Sequence, residues 1–307
     1  MKKKLLIATI SILVIVFVFV LYKCKFEKLS GGDKDGVYWE MQGGVLTISG
    51  KGDMEQYSSE SEANEYTPNM PWGMKVKKVI IEEGVTSIGS SAFEKCSKLT
   101  SVTIPESVKS IGDKAFYGCK KLESITLPKN LESIGWSTFL GCYKIEEVII
   151  PENVTIIEAD AFYNCTNLRK VTLPKNLEKI DAKAFWGCES LEYIELPEGL
   201  KVISFDAFFR CTKLKEVVLP DSVDEIRSNA FLGCTALEKV ILPEGLLTIS
   251  YGTFRQCESL KSIYIPESVI EIADDAFEES GLETIYGKSG SYAETYAKQN
   301  GYEFVEK

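Results

Sequence analysis

The side chains in this chain best suited to chemistry are eight cysteines at a constant interval of 23 residues: Cys96, Cys119, Cys142, Cys165, Cys188, Cys211, Cys234 and Cys257. Thiolates attack electrophiles and bind soft metals, and a structural zinc needs four ligands converging on a tetrahedron. Equivalent side chains on stacked repeats point the same way in a straight row, so they do not converge. Adjacent Cα atoms about 5 Å apart fall within disulfide range. Parallel Cβ vectors keep the Cβ atoms near that same spacing, wider than the roughly 3.8 Å that a bridge prefers. The spacing therefore predicts a ladder of free thiols that packs as a row of small hydrophobes.

A second periodic row is acidic: Glu106, Glu152, Glu198, Asp221, Glu244 and Glu267, interrupted by Lys129 and Lys175. Two stacked carboxylates could bind calcium or act as an acid/base pair. A repetitive row on an exposed turn has no pocket to shift a pKa, and it reads as a solvated face. The chain contains no histidine. That removes the commonest general base, the Ser-His and Cys-His nucleophile pairs and every histidine-containing zinc site. No phosphate-binding glycine loop is present either. We assign no catalytic residue, no metal ligand and no cofactor; a carboxylate-based glycosidase is the one enzyme reading left, and nothing outside the repeats offers it a pocket. Net charge is −10 over 307 residues, and −15 once the lysine-rich first 30 are set aside. Such a body repels phosphate backbones, which excludes nucleic acid as a partner.

The elements that position these rows follow from the same interval. Proline recurs at 105, 128, 151, 174, 197, 220, 243 and 266, phenylalanine from Phe93 to Phe277 and isoleucine from Ile88 to Ile272, all 23 apart. One unit reads Leu99-x-x-Val102-x-Ile104-Pro105-x-x-Val108-x-x-Ile111-x-x-x-Ala115-Phe116-x-x-Cys119. Val102-x-Ile104 alternates with period two, a short strand with one buried face. Pro105 ends it, because proline cannot donate to a ladder, and the residues after it carry turn chemistry. One such coil cannot fold alone. Its few apolar side chains bury roughly 2 kcal/mol each, while ordering 23 residues costs about 1 kcal/mol each or more. Stacking resolves this by burying both faces of every coil. The expected fold is an α/β-type repeat solenoid dominated by short parallel β-strands, about 4.8 Å per coil and about 45 Å long.

The ends differ from the repeats. Residues 1–4 are basic, and Leu5 to Tyr22 is an apolar run softened only by Thr9 and Ser11. Its reach of about 27 Å approaches the hydrocarbon thickness, so residues 5–22 are expected to form one N-terminal transmembrane helix acting as a signal anchor. Leu21-Tyr22-Lys23-Cys24-Lys25 lacks a small-residue cleavage site, although a cleaved signal, giving a secreted chain, is an alternative. Lys23 stands where lipidation at Cys24 wants a small residue. The positive-inside rule favours a cytoplasmic N-terminus and an extracytoplasmic body at the cell surface. The expected organisation is a cytoplasmic flank at 1–4, the anchor at 5–22, a linker at 23–36, an N-terminal cap at 37–78, a solenoid of about nine units at 79–287 and a C-terminal cap at 288–307. Val37–Met41 and Val45–Ser49 read as a capping β-hairpin. Ser291-x-x-Glu294 reads as the capping box of a C-terminal helical cap, Gly301 as its stop and Tyr302–Val305 as a last strand.

The unit quoted above resembles the BspA-like class of leucine-rich repeats found on microbial surfaces, with a match in every unit over residues 79 to 285. The segment Gly44-Val45-Leu46-Thr47-Ile48-Ser49-Gly50 and the segment Gly290-Ser291-Tyr292-Ala293-Glu294 resemble that family's flanking elements. The resemblance implies an inward cysteine, a body without catalysis and adhesion or protein binding at the cell surface. It also implies binding across the strand positions that flank the buried valines. The apolar and aromatic members of that face gather toward the C-terminus, which nominates Tyr193, Glu195, Glu216, Val218, Lys239, Ile241 and Tyr264 for an extracellular or cell-surface protein partner. An alternative is the row after the core phenylalanine, with Tyr117, Tyr163, Trp186 and Phe209 among leucines 140 and 232. That row is either an exposed apolar ridge or packing between coils. The body is expected to be monomeric; a self-associating envelope protein is the rival reading.

Overall fold

The computed structural model describes residues 29–32, 36–57, 59–62 and 65–307. Each coil contributes two short strands. The first, such as Ser101–Thr103, buries its central residue, and the second, such as Ser110–Ile111, buries its isoleucine. First strands pair parallel and in register from coil to coil, for instance Glu147 with Lys170 and Val148 with Val171. With the strands of the two ends they form three consecutive sheets of six, five and three strands along one side, and the second strands, joined by Gly52–Asp53, form sheets of four, four and two. Between the ladders lies one continuous core. The nine phenylalanines from Phe93 to Phe277 are at most 1% exposed and stack ring over ring at 5.3 to 5.7 Å.

The third side corrects the expectation of an α/β-type solenoid. The molecule is a β-solenoid, and the one α-helix among the described residues is α1, Tyr292–Asn300, beyond the repeats. The reason is a pair of left-handed residues, four positions apart, in every coil but the last. Examples are Lys114 (φ 55°) with Gly118 (φ 68°), and Asp160 (φ 56°) with Asn164 (φ 55°). A left-handed residue every fourth position breaks any helix. Backbone donors then alternate in target. Tyr117 N–H bonds Lys114 O within the turn at 3.0 Å, whereas Phe116 N–H crosses to Thr138 O of the next coil at 3.0 Å. A helix is about 10 Å across and would splay the coils on that side. The crossed turns keep the coils at the spacing that the phenylalanine stack requires.

The transmembrane helix expected at 5–22 is also withdrawn from the fold. Those residues lie outside the described residues, and no helix among the described residues is long and apolar enough to cross a membrane.

Both ends of the aromatic stack are closed by other rings. Trp72 stacks on Phe93 at 5.9 Å, donates its indole N–H to Ala92 O at 2.9 Å and meets the edges of Trp39 and Tyr57. Trp39 belongs to an antiparallel hairpin, Val37–Gln42 with Val45–Gly50, whose second strand starts the parallel ladder by pairing with Lys78–Ile81. Leu29–Gly32, within the stretch read as a linker, adds an antiparallel strand to the hairpin. At the far end α1 lays Tyr296 against Phe277 at 6.1 Å, and Glu303–Glu306 adds a last parallel strand. The helix start differs from a capping box. Ser291 Oγ is buried with no hydrogen-bond partner, and Glu294 instead accepts the Gly290 N–H at 2.7 Å. Gly301 ends the helix in the left-handed conformation, φ 79°.

Candidate protein-binding faces

The eight repeat cysteines are free and buried, one per coil, just inside the crossed turns. Each from Cys119 onward donates its thiol to the phenylalanine carbonyl of the preceding coil. Cys119 reaches Phe93 O at 3.1 Å and Cys165 reaches Phe139 O at 3.2 Å. The same Phe93 carbonyl accepts the Cys96 N–H at 3.1 Å, so one oxygen ties two coils together. Burial pushes the thiols of Cys96, Cys165 and Cys257 up to about 12. Burial likewise raises Cys119, Cys142, Cys188, Cys211 and Cys234. At neutral pH these groups are protonated and shielded, which disarms them as nucleophiles.

The acidic row stitches the coils together. Glu106 Oε2 accepts the Lys129 N–H at 2.9 Å, Glu152 Oε2 accepts the Lys175 N–H at 3.1 Å, and Glu267 pairs with Lys288 at 2.7 Å. Among the described residues no three acidic or cysteine side chains are placed to hold a metal ion.

The row after the core phenylalanines is half-buried at Tyr117, Leu140, Tyr163, Trp186, Phe209 and Leu232. Tyr163 and Trp186 lie parallel at 4.4 Å, and Trp186 and Phe209 at 5.2 Å. The Arg210 guanidinium sits 5.4 Å from the Phe209 ring. These rings spend their faces on one another and present edges to solvent. Tyr117 stands outside that three-ring stack. Burial, then the carboxylates of Asp160 and Asp206, push the Tyr163 phenol above its ordinary value.

The first-strand ladder presents two outward rows. Lys170, Tyr193, Glu216 and Lys239 are paired neighbours in one. Glu195, Val218, Ile241 and Tyr264 occupy the other, where Val218 pairs with Ile241 and Tyr264 with Tyr286. Tyr193 is 55% exposed, Val218 44% and Ile241 43%, while Glu216 and Tyr264 are half-buried. Lys239 and Glu216 form an ion pair. Tyr193 and Glu195 share a hollow of about 550 Å³ with Lys170, Thr172, Lys175 and Glu198. Exposed Ile149 stands beyond it on the same face, paired with Thr172.

Sequence reasoning passed over Tyr286, which extends the apolar row with Lys307 Nζ 5.3 Å above its ring. It also passed over a column of exposed aromatics after the second strand, Trp136, Phe205 and Tyr251. Lys114 lies 4.5 Å over Trp136, and Arg227 5.3 Å over Phe205. The signal was available, because the three occupy one repeat position.

The repeat residues match the family model described as BspA type leucine-rich repeat region, in six copies over residues 72–192 and 179–300. Among curated proteins none matches the chain. Among solved structures, the pneumococcal vaccine antigen PcpA aligns over 91% of this chain and 98% of its own at 18% identity, with a TM-score of 0.50. A leucine-rich cell-surface protein from Faecalibacterium prausnitzii aligns over 91% of this chain and 94% of its own at 24% identity, with a TM-score of 0.41. At such identities a structural likeness speaks to the fold, whereas the family match spans most of the described chain. The chain belongs to the BspA-type leucine-rich-repeat family.

Proposed function

We propose that this chain is a cell-surface binding protein with an adhesive role, and that it holds a protein partner on its first-strand ladder toward the C-terminus. The observation that carries the reading is the strip of exposed Val218 and Ile241 and half-buried Tyr264 and Tyr286 beside Tyr193 and its hollow. The strip lies outside the solenoid core, on the outward face of the ladder. Aromatic and aliphatic side chains on a rigid sheet give contact area at low entropic cost. Glu195, Glu216 and Lys239 would form the polar rim that fixes register. Family membership supports protein binding over catalysis.

The test is binding of the purified chain to a panel of extracellular-matrix and serum proteins. A variant with Tyr193, Val218 and Tyr264 changed to Ala is run beside one with Tyr163, Trp186 and Phe209 changed to Ala. Saturable binding that only the first variant loses supports this face. Loss only in the second moves the site to the ridge. Concentration-dependent sedimentation with no binding to any partner would replace the reading with self-association.

A further inference from the structure

We propose that a second, chemically distinct site lies near the N-terminal end of the crossed turns, and that it takes an acidic saccharide. The site begins with an unfilled notch. In each coil the second left-handed position carries one residue, in order Lys95, Gly118, Gly141, Asn164, Gly187, Arg210, Gly233, Gln256 and Glu279. Two of the four glycines in this column are covered by a neighbour. A Cβ on Gly187 would meet Asn164 Oδ1 at 2.3 Å, and one on Gly233 would meet Arg210 Cγ at 3.2 Å. Gly118 and Gly141 are adjacent, and nothing comes closer than 3.7 Å to a Cβ built on either. Two missing side chains in consecutive coils open a hollow of about 400 Å³.

Its walls are Tyr117, Leu140, Tyr143, Ser97, Lys95 and Lys120. Tyr143 is 38% exposed, and its hydroxyl lies over Gly141. Two tyrosines, a leucine, a serine and bare backbone form a surface with apolar faces and polar tips. A sugar ring has the matching chemistry, with C–H faces and a rim of hydroxyls. An inorganic anion would leave the tyrosine and leucine walls unused.

The side chains that line this hollow include two lysines and no acid, against the acidity of the body. Residues 95–98, 118–121 and 141–144 contain Lys95, Lys98, Lys120, Lys121 and Lys144 and no acid, in a body that carries −15. Among the described residues Lys120, Lys121 and Lys144 have no ion-pair partner. Unpaired lysines at a hollow raise the local concentration of anions. They favour a sugar bearing a carboxylate or a sulfate over a neutral one, with Lys120 the nearest cation that lines the hollow and is free to pair.

The test is calorimetric titration of the whole chain with 3′-sialyllactose, with a heparin tetrasaccharide, with lactose and with a glutamate-rich peptide. At least one acidic sugar should bind, about tenfold or more tighter than lactose and the peptide, and should weaken as salt rises. Gly141→Asn fills the notch with a residue that the same column already accepts at Asn164, φ 55°. It should abolish binding while leaving thermal unfolding unchanged. Lys120→Ser should weaken the acidic sugar and flatten its salt dependence. The Tyr193, Val218 and Tyr264 variant should bind the sugar as the parent does, which separates this site from the protein-binding face. Failure of both acidic sugars to bind, lactose or the peptide binding as well as they do, or full binding by Gly141→Asn would each overturn the proposal.

Discussion

Phe162 and Tyr163 are neighbours in sequence and opposites in circumstance. Phe162 and its equivalents form an unbroken stack inside the solenoid. One residue on, the same turn carries Tyr117, Leu140, Tyr163, Trp186, Phe209, Leu232, Arg255 and Glu278 in successive coils. The slot inside is bounded above and below by rings little more than 5 Å away, so a flat ring fills it and other shapes leave voids or force the coils apart. Outside, a side chain answers to solvent on one flank, and its identity can drift from coil to coil. The interior therefore sets the pitch, and the exterior is where differences between coils, and with them binding, can accumulate.

Raising the pH should break this comparison most severely, because the core thiols ionise readily only once the chain unfolds. An unfolded thiol ionises near about 8.5, while Cys96, Cys165 and Cys257 resist ionisation up to about 12. Above the unfolded value the folded state holds more protons, so stability falls as pH rises. The loss is about 1.4 kcal/mol per pH unit for each such thiol. The denaturation midpoint, flat through neutral pH, should drop steeply between pH 9 and 12 as the folded pKa values are approached. Changing Cys165 and Cys188 to Ala should make that slope shallower. An unchanged slope would mean that the thiols open to solvent before the solenoid unfolds.

Next in size is Phe162→Ala. It removes a fully buried ring from between two stacked partners at 5.3 and 5.5 Å, and the loss should be about 3–5 kcal/mol by urea denaturation. Trp186→Ala, on the outside of the next coil, gives up two stacking contacts but leaves no closed cavity, so about 1–2 kcal/mol is expected. Equal losses would show that the ridge belongs to the core and has no surface to offer a partner.

The interior half of this contrast was legible in the sequence, and the exterior half only in part. Rows of one residue type at a single interval can arise only where every coil imposes the same environment, which is why the phenylalanine, isoleucine and cysteine rows mark the core and the parallel stack. The crossed turns were misread because left-handed residues such as Lys114, Asp160 and Lys183 carry no local signature. The signature lies down the column, where Gly118, Gly141, Asn164, Gly187 and Gly233 share one position. The hollow at Tyr193 was not legible, since it depends on how far Lys170, Lys175 and Glu198 reach from neighbouring coils. Nor could spacing decide whether Tyr163, Trp186 and Phe209 lie flat on one another or stand apart.

The smallest effect sharpens the account of those turns. Lys183 holds φ 58° and donates its N–H to Phe205 O at 2.9 Å. A left-handed non-glycine residue costs about 1–2 kcal/mol, and glycine in its place gives back roughly 0.5–1 kcal/mol through the freer unfolded chain. Lys183→Gly should therefore raise stability by about 0.5 kcal/mol. Lys183→Val keeps the backbone strain and adds a β-branch that tolerates it worse, so it should lower stability and separate clearly from the glycine variant in urea midpoints. If the two variants fall on the same side of the parent, the left-handed turn does not control this coil. The crossed hydrogen bond to Phe205 would then hold the turn whatever residue supplies it.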